Sequence, residues 1–202
     1  MALYLLRHGA LPPNPQRRFV GQRDLPLSPR GQRQIAFWAE ELAVTPLKAI
    51  FCSSLQRCRE SARSIGRHHP QTPVIPMDAF REIHLGQWEG LTPADVEERF
   101  PGAYAERGRR LADYCPQGGE SFRMLARRVL PALRDILPRN ENDNVLLVAH
   151  GGVIRVILAH ALALPLDRLL DIPQPYAACT RLELTPDLFA MPPLMPDDGK
   201  DA

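Results

Sequence analysis

The sequence predicts an α/β protein: three layers, α/β/α, with a mostly parallel central sheet and helices on both faces. Two observations carry that expectation. Short apolar runs alternate along the chain with longer segments of helical periodicity, the order that builds parallel sheets. Two of those runs, "LLRHG" ending at Gly9 and "LVAHGG" ending at Gly152, break off in the same way, at a histidine followed by glycine. Strand ends of this kind belong at the carboxyl edge of an open parallel sheet, where such folds bind ligands.

The first run, Tyr4 to Leu6, stops abruptly at Arg7, His8 and Gly9, so a guanidinium and an imidazole leave the sheet at its rim. Ser28 before Pro29 reads as an N-cap with proline at the first helical position. Ile35, Trp38, Ala39 and Leu42 then recur at helical spacing, which predicts a helix from about 29 to 43. "LKAIFCSS" is the next strand, and the helix "SLQRCRESARSIGRHH" after it is expected to run until His69-Pro70. "PVIPM" is a third strand. From about 92 to 119 the sequence turns charged and weakly apolar, with turn signals at "PG" and "QGG", which predicts a partly helical excursion placed to cover a site. A helix near Ser121 to Leu137, the strand "DNVLLVAH", an apolar helix after Gly152 and a last strand "ACTRLEL" complete a single domain over 1–188. Residues 189–202 have the composition of a flexible tail.

With 202 residues, 45% of them apolar and 24% charged, the chain supports one well-buried core. Its formal net charge of +2 is too small to imply a nucleic acid or a membrane surface as partner. Every Lys or Arg position except Lys48 and Lys200 is arginine; arginine suits planar recognition of phosphate or carboxylate, although base composition produces the same bias. Cys52, Cys58, Cys115 and Cys179 show neither paired nor zinc-like spacing and read as reduced thiols. The first strand begins within a few residues of Met1, leaving no room for a signal peptide, and no apolar run reaches membrane-spanning length. The expected setting is cytoplasmic.

The two histidines suggest chemistry when taken together. Neighbouring strand ends would bring His8 and His150 to one place, Gly151 would let the backbone approach a ligand, and the helix after Gly152 would point amide N–H groups at an anion. Phosphate fits that geometry. "SSLQRCRESA" sets Arg57 and Arg59 at the start of a helix, on different faces, so that one enters the site while the other stays solvated. Glu82, in "REIHLGQWEG", is either a site carboxylate or a surface partner of Arg81.

These motifs together resemble the histidine phosphatase superfamily, which includes phosphoglycerate mutases and α-ribazole phosphatases. The resemblance rests on "RHG", "FVGQRDLPLSPRG", "SSLQRCRESA", "EIHLGQWEG", "GGES" and "HGGVIR", in family order and spanning nearly the whole chain. It implies that His8 is the nucleophile, that Arg7, Arg57 and His150 clamp the phosphoryl oxygens, that Glu82 donates the proton and that Asn14 contacts phosphate. Ala10 and Leu11 depart from the family pattern, where an acidic or polar residue and then Thr or Ser are common. The chemistry is coherent on its own terms: phosphoryl transfer spreads charge over three equatorial oxygens, and two arginines and a histidine stabilise it without a metal or other cofactor.

The expected activity is therefore a metal-independent phosphomonoesterase acting on a small phosphorylated metabolite, with α-ribazole phosphate in cobalamin biosynthesis the nearest substrate by resemblance. A mutase-type isomerase and a non-catalytic phosphate-ligand binder on the same fold are the alternatives. Oligomeric state is open, a dimer included. Arg155 reads as a structural salt-bridge residue, and His68, His69 and His160 lack metal-ligand spacing.

Overall fold

The computed structural model describes residues 2–137 and 143–183. Among these, five strands form one mixed sheet: β1 (Ala2–Arg7), β2 (Ala49–Ser53), β3 (Val74–Met77), β4 (Asn144–Ala149) and β5 (Cys179–Glu183). Their spatial order is β3-β2-β4-β1-β5, with β5 antiparallel to β1 and every other neighbouring pair parallel. The expected α/β architecture is the one observed.

Alternation along the strands divides the core. Leu3 and Leu5 of β1, with Val145, Leu147 and Ala149 of β4, pack against α5 (Phe122–Ile136) and α6 (Gly151–Ala161). Leu6, Leu146 and Val148 face the other way, onto α1 (Pro29–Glu41) and α2 (Gln56–Gly66). Leu5 and Leu6 are both fully buried, on opposite faces, and each contributes roughly 1.5–3 kcal/mol. The residues that follow them are thus held at a rigid strand end.

Helix boundaries follow local chemistry. Ser28 caps α1 by accepting a hydrogen bond from the Gly31 amide. The helix α2 stops at Gly66, short of the expected His69-Pro70, because the chain tightens into shorter bonds: His68 N–H donates to Ile65 O and His69 N–H to Gly66 O. The lack of a side chain at Gly66 also admits Val74 of β3, whose Cγ2 lies 2.9 Å from where a Cβ would stand.

The excursion at 92–119 contains α3 (Pro93–Arg99), opened by a capping box between Thr92 and Asp95, and α4 (Ala103–Arg109). It docks through aromatic rings: Trp88, fully buried, packs against Phe19, Tyr104 and Tyr114 at centroid distances of 5.5 to 6.3 Å. The expected tail at 189–202 lies outside the described residues. No described helix is long and apolar enough to cross a membrane.

Candidate active site

Parallel register places the two histidines side by side. Arg7 stands opposite Ala149, so the next residues out, His8 and His150, leave adjacent strands together. Their rings meet edge to face with centroids 5.2 Å apart. Gly9 follows His8 because the chain passes within contact of α1: a Cβ there would lie 2.3 Å from Gly31 O.

Each imidazole has its tautomer set by its neighbours. His8 Nδ1 lies 2.8 Å from Gly9 O, an acceptor only, so Nδ1 carries the proton and Nε2 keeps its lone pair. His150 Nδ1 accepts from Arg57 Nε at 3.2 Å, and its Nε2–H therefore donates to Ser53 Oγ at 2.8 Å. Burial holds both rings well below their ordinary value of 6.5, and the positive charges of Arg57 and Arg7 push in the same direction. Both are neutral at pH 7.

Of Arg57 and Arg59 in α2, Arg57 is the one bonded to His150. Only 1% exposed, it donates from Nη1 to Arg23 O at 2.7 Å and from Nη2 to Gly21 O at 2.9 Å, besides its bond to His150. One N–H on each terminal nitrogen is left for a ligand. The turn that supplies those carbonyls is itself fixed. Glu89 Oε1 accepts from the Gln22 amide at 2.8 Å, and Gly21, at φ 52°, leaves space that a Cβ would take from that carboxylate.

Glu82 is not a surface partner of Arg81. Its Oε2 accepts from the Gly152 amide in the first turn of α6 at 3.1 Å, and its Oε1 accepts from Ile83 N–H. Its own carbonyl is held by Arg128 and Gln22. A Cβ on Gly152 would stand 2.4 Å from the Glu82 carboxylate, so the "HGG" motif needs its second glycine for this approach. Gly151 is buried between two guanidinium groups, those of Arg7 and Arg155.

Several contributors were not legible in the sequence. The segment from Ile172 to Ala178 presents alternate residues to the site: Ile172 O accepts from Arg155 Nε, Gln174 O from Arg7 Nη1, and Ala178 O from the Arg7 amide. Tyr176 lays its ring 4.2 Å from the Arg7 guanidinium carbon and 5.5 Å from the His8 ring. Pro173 and Pro175 stiffen this strap up to Tyr176, where the chain turns with Ala177 at φ 58° and Ala178 N–H donating to Pro175 O. Arg155 joins the cationic cluster beside Arg7 rather than serving as a salt-bridge residue. Asn14 lines the recess next to Tyr176, with both halves of its amide bonded to the backbone of Arg18.

Among the described residues, no group of three His, Cys, Asp or Glu side chains is arranged to hold a metal ion. The arrangement offers instead a neutral imidazole with a free lone pair, a dense set of guanidinium groups around it and a carboxylate on a helix N-terminus. That is equipment for phosphoryl transfer.

Comparison with known proteins agrees. The profile of the histidine phosphatase superfamily (branch 1) matches residues 3–192, and the chain belongs to that superfamily. It is an enzyme of the phosphatase class. At the next level of detail, it is 37% identical over 172 residues to the glucosyl-3-phosphoglycerate phosphatase of Mycolicibacterium vanbaalenii, covering 82% of this chain and 76% of that one. The adenosylcobalamin/alpha-ribazole phosphatase of Salmonella typhimurium is 29% identical over 167 residues, covering 82% and 81%. The solved native structure of a mycobacterial glucosyl-3-phosphoglycerate phosphatase superimposes with a TM-score of 0.79 at 33% identity, over 89% of this chain and 88% of that one.

Proposed function

We propose that the protein hydrolyses phosphomonoesters without a metal, through a phosphohistidine on His8. The observation that carries this is the Nδ1 bond to Gly9 O, which leaves Nε2 as a neutral nucleophile among cations. Nε2 attacks phosphorus in line, and the bond to the leaving alcohol oxygen breaks. Arg7 and Arg57 hold the equatorial oxygens through the transition state. Glu82 protonates the departing alkoxide and then takes a proton from the water that cleaves the P–N bond. His150 has two roles here, bracing Arg57 through Nδ1 and turning its Nε2–H from Ser53 to a phosphoryl oxygen when one is present.

The substrate is a small phosphorylated metabolite. The similarity to phosphatases named for glucosyl-3-phosphoglycerate supports a phosphoglycerate ester as the first to test, with α-ribazole phosphate second. The reading is tested with p-nitrophenyl phosphate in excess EDTA, combined with acid-base stability of a rapidly quenched, radiolabelled phosphoenzyme. Turnover in EDTA and an acid-labile, base-stable label are expected; turnover restored only by added metal defeats it.

Two further outcomes follow from the site. In the rate of phosphoenzyme formation, Glu82→Gln should slow esters of poorly activated alcohols by about 10² to 10⁴ while sparing p-nitrophenyl phosphate, whose leaving group needs no proton. Equal slowing of that first step for both ester types removes Glu82 from the acid role, whereas the later hydrolysis of the phosphoenzyme should slow for both. The two lowered histidines govern pH behaviour. Unfolding releases both rings to bind protons at 6.5, so the unfolded chain binds more protons below that value. Stability should be fully present above pH 6.5 and decline as pH falls from there toward the lowered folded values. The acid limb of kcat/KM set by His8 should likewise lie well below 6.5. A Tm series and a pH–rate profile across that value check both, and a His8 limb at or above 6.5 contradicts the assignment.

A further inference from the structure

The "GGES" motif has no part in the reaction as described, yet the fold brings it against the segment that carries Glu82. Residues 117–120 and 84–87 meet backbone to backbone: Gln117 O accepts from the Gln87 amide at 3.0 Å, and His84 O accepts from the Glu120 amide at 2.7 Å. Neither side has room for a side chain. A Cβ on Gly86 would lie 2.1 Å from Gln117 O, and one on Gly119 would lie 2.6 Å from His84 O. That close approach brings the Glu120 carboxylate within reach, and its Oε2 accepts from His84 N–H at 2.9 Å. Glu120 therefore holds both main-chain polar groups of the residue two positions beyond Glu82.

Arg128, on α5, completes the frame. Its Nε and Nη2 bond the two oxygens of Glu120 at 2.7 and 2.9 Å, fork to fork. The same guanidinium donates from Nη1 to Ala79 O and from Nη2 to Glu82 O, each at 2.9 Å. Four of its five N–H groups are used in this way. The side chains of Arg128 and Glu120 are only 24% and 17% exposed, so the pair escapes most of the screening that weakens surface ion pairs. One ion pair thus grips the main chain at Ala79, Glu82 and His84, on both sides of the carboxylate that reaches the Gly152 amide.

We infer that Glu120 and Arg128 are positioning residues for the proton transfer by Glu82, fixing the backbone from which its carboxylate meets the leaving oxygen. The inference rests on the acid role proposed for Glu82 above and extends it to a pair that touches no reacting atom. A misplacement of about 1 Å in a reacting group costs up to about 10² in rate, so a frame of this kind acts on the chemistry from behind it.

The test compares p-nitrophenyl phosphate with p-methoxyphenyl phosphate, which are similar in size but differ in how much the leaving oxygen needs a proton. The readout is kcat/KM, which covers the steps through phosphoenzyme formation. In Arg128→Lys and in Glu120→Ala the ratio of p-nitrophenyl to p-methoxyphenyl phosphate should rise by about tenfold or more. In a Glu82→Gln background the same substitutions should leave the ratio unchanged, since the acid they place is gone. Lysine keeps the positive charge that Arg128 sets near His150 and keeps Glu120 paired, but it lacks the fork, so that variant reads placement rather than field. The ratio is internal to each preparation and does not depend on the fraction folded. A pair that only stabilises the fold slows both esters alike. An unchanged ratio in either variant, or the same rise in the Glu82→Gln background, overturns the inference and leaves the acid role standing. Glu82→Gln alone reports on that role: if its own ratio does not rise, Glu82 is not the acid and the inference falls with it.

Discussion

His8→Ala should reduce kcat by about four orders of magnitude or more, the scale expected when a covalent nucleophile is removed. The loss should appear together with loss of the radiolabelled phosphoenzyme, while the fold stays intact. His8 is nearly buried, yet among the described residues its side chain makes a single hydrogen bond, to the adjacent residue, so its removal strands no distant partner there. A folded His8→Ala protein that retained turnover in EDTA would show that water attacks directly. One that formed a phosphoenzyme at another residue would move the nucleophile. Rapid exchange of phosphoryl groups between 2- and 3-phosphoglycerate, with slow release to water, would turn the assignment toward a mutase that keeps its phosphohistidine dry.

The second large effect is expected at Arg57, and it should register in both activity and stability. Replacement by methionine keeps an unbranched apolar stem but leaves Gly21 O, Arg23 O and His150 Nδ1 without their donor. An abandoned buried acceptor costs about 1–3 kcal/mol, and incomplete relaxation around three of them supports a total loss of roughly 3 kcal/mol. For a chain of this size that corresponds to a fall in Tm of about 6–12 °C. Loss of a charged donor to the transferring group should also lower kcat by about 10² to 10³. Arg57→Lys separates the two effects: it restores a positive charge without the fork that spans both carbonyls, so it should recover part of the rate and little of the stability. Unchanged Tm in Arg57→Met would show that the turn at Gly21 stands without the guanidinium.

The elements that were readable in the sequence are those whose chemistry is local. A buried strand ending in histidine and glycine occurs twice, and the parallel register of β1 and β4 turns that repetition into a contact. The offset between Arg57 and Arg59 on one helix separated a site residue from its neighbour. The sequence did not distinguish the two readings of Glu82, since its carboxylate is placed by an amide of α6, 70 residues away. The place of Arg155 is hidden for a related reason: helical position locates it one turn from His150, but its neighbours Arg7 and Ile172 come from elsewhere in the chain. The strap from Ile172 to Ala178 carries no periodic signal in the sequence. A segment interrupted by prolines and ended by a turn has neither helical nor strand periodicity, and its contacts run mostly through backbone carbonyls, which every residue possesses.

The strand order carries a consequence for how the enzyme comes into being. β4 lies between β1 and β2, although it is made long after both. A nascent chain that has emerged as far as Glu82 already contains Arg7, His8, Arg57 and Glu82, but β1 and β2 have no shared neighbour until Asn144–Ala149 arrives to join them. Synthesis therefore leaves two open strand edges waiting for one late insertion. The proposed phosphoester chemistry requires that insertion, because it is what brings His150 to His8.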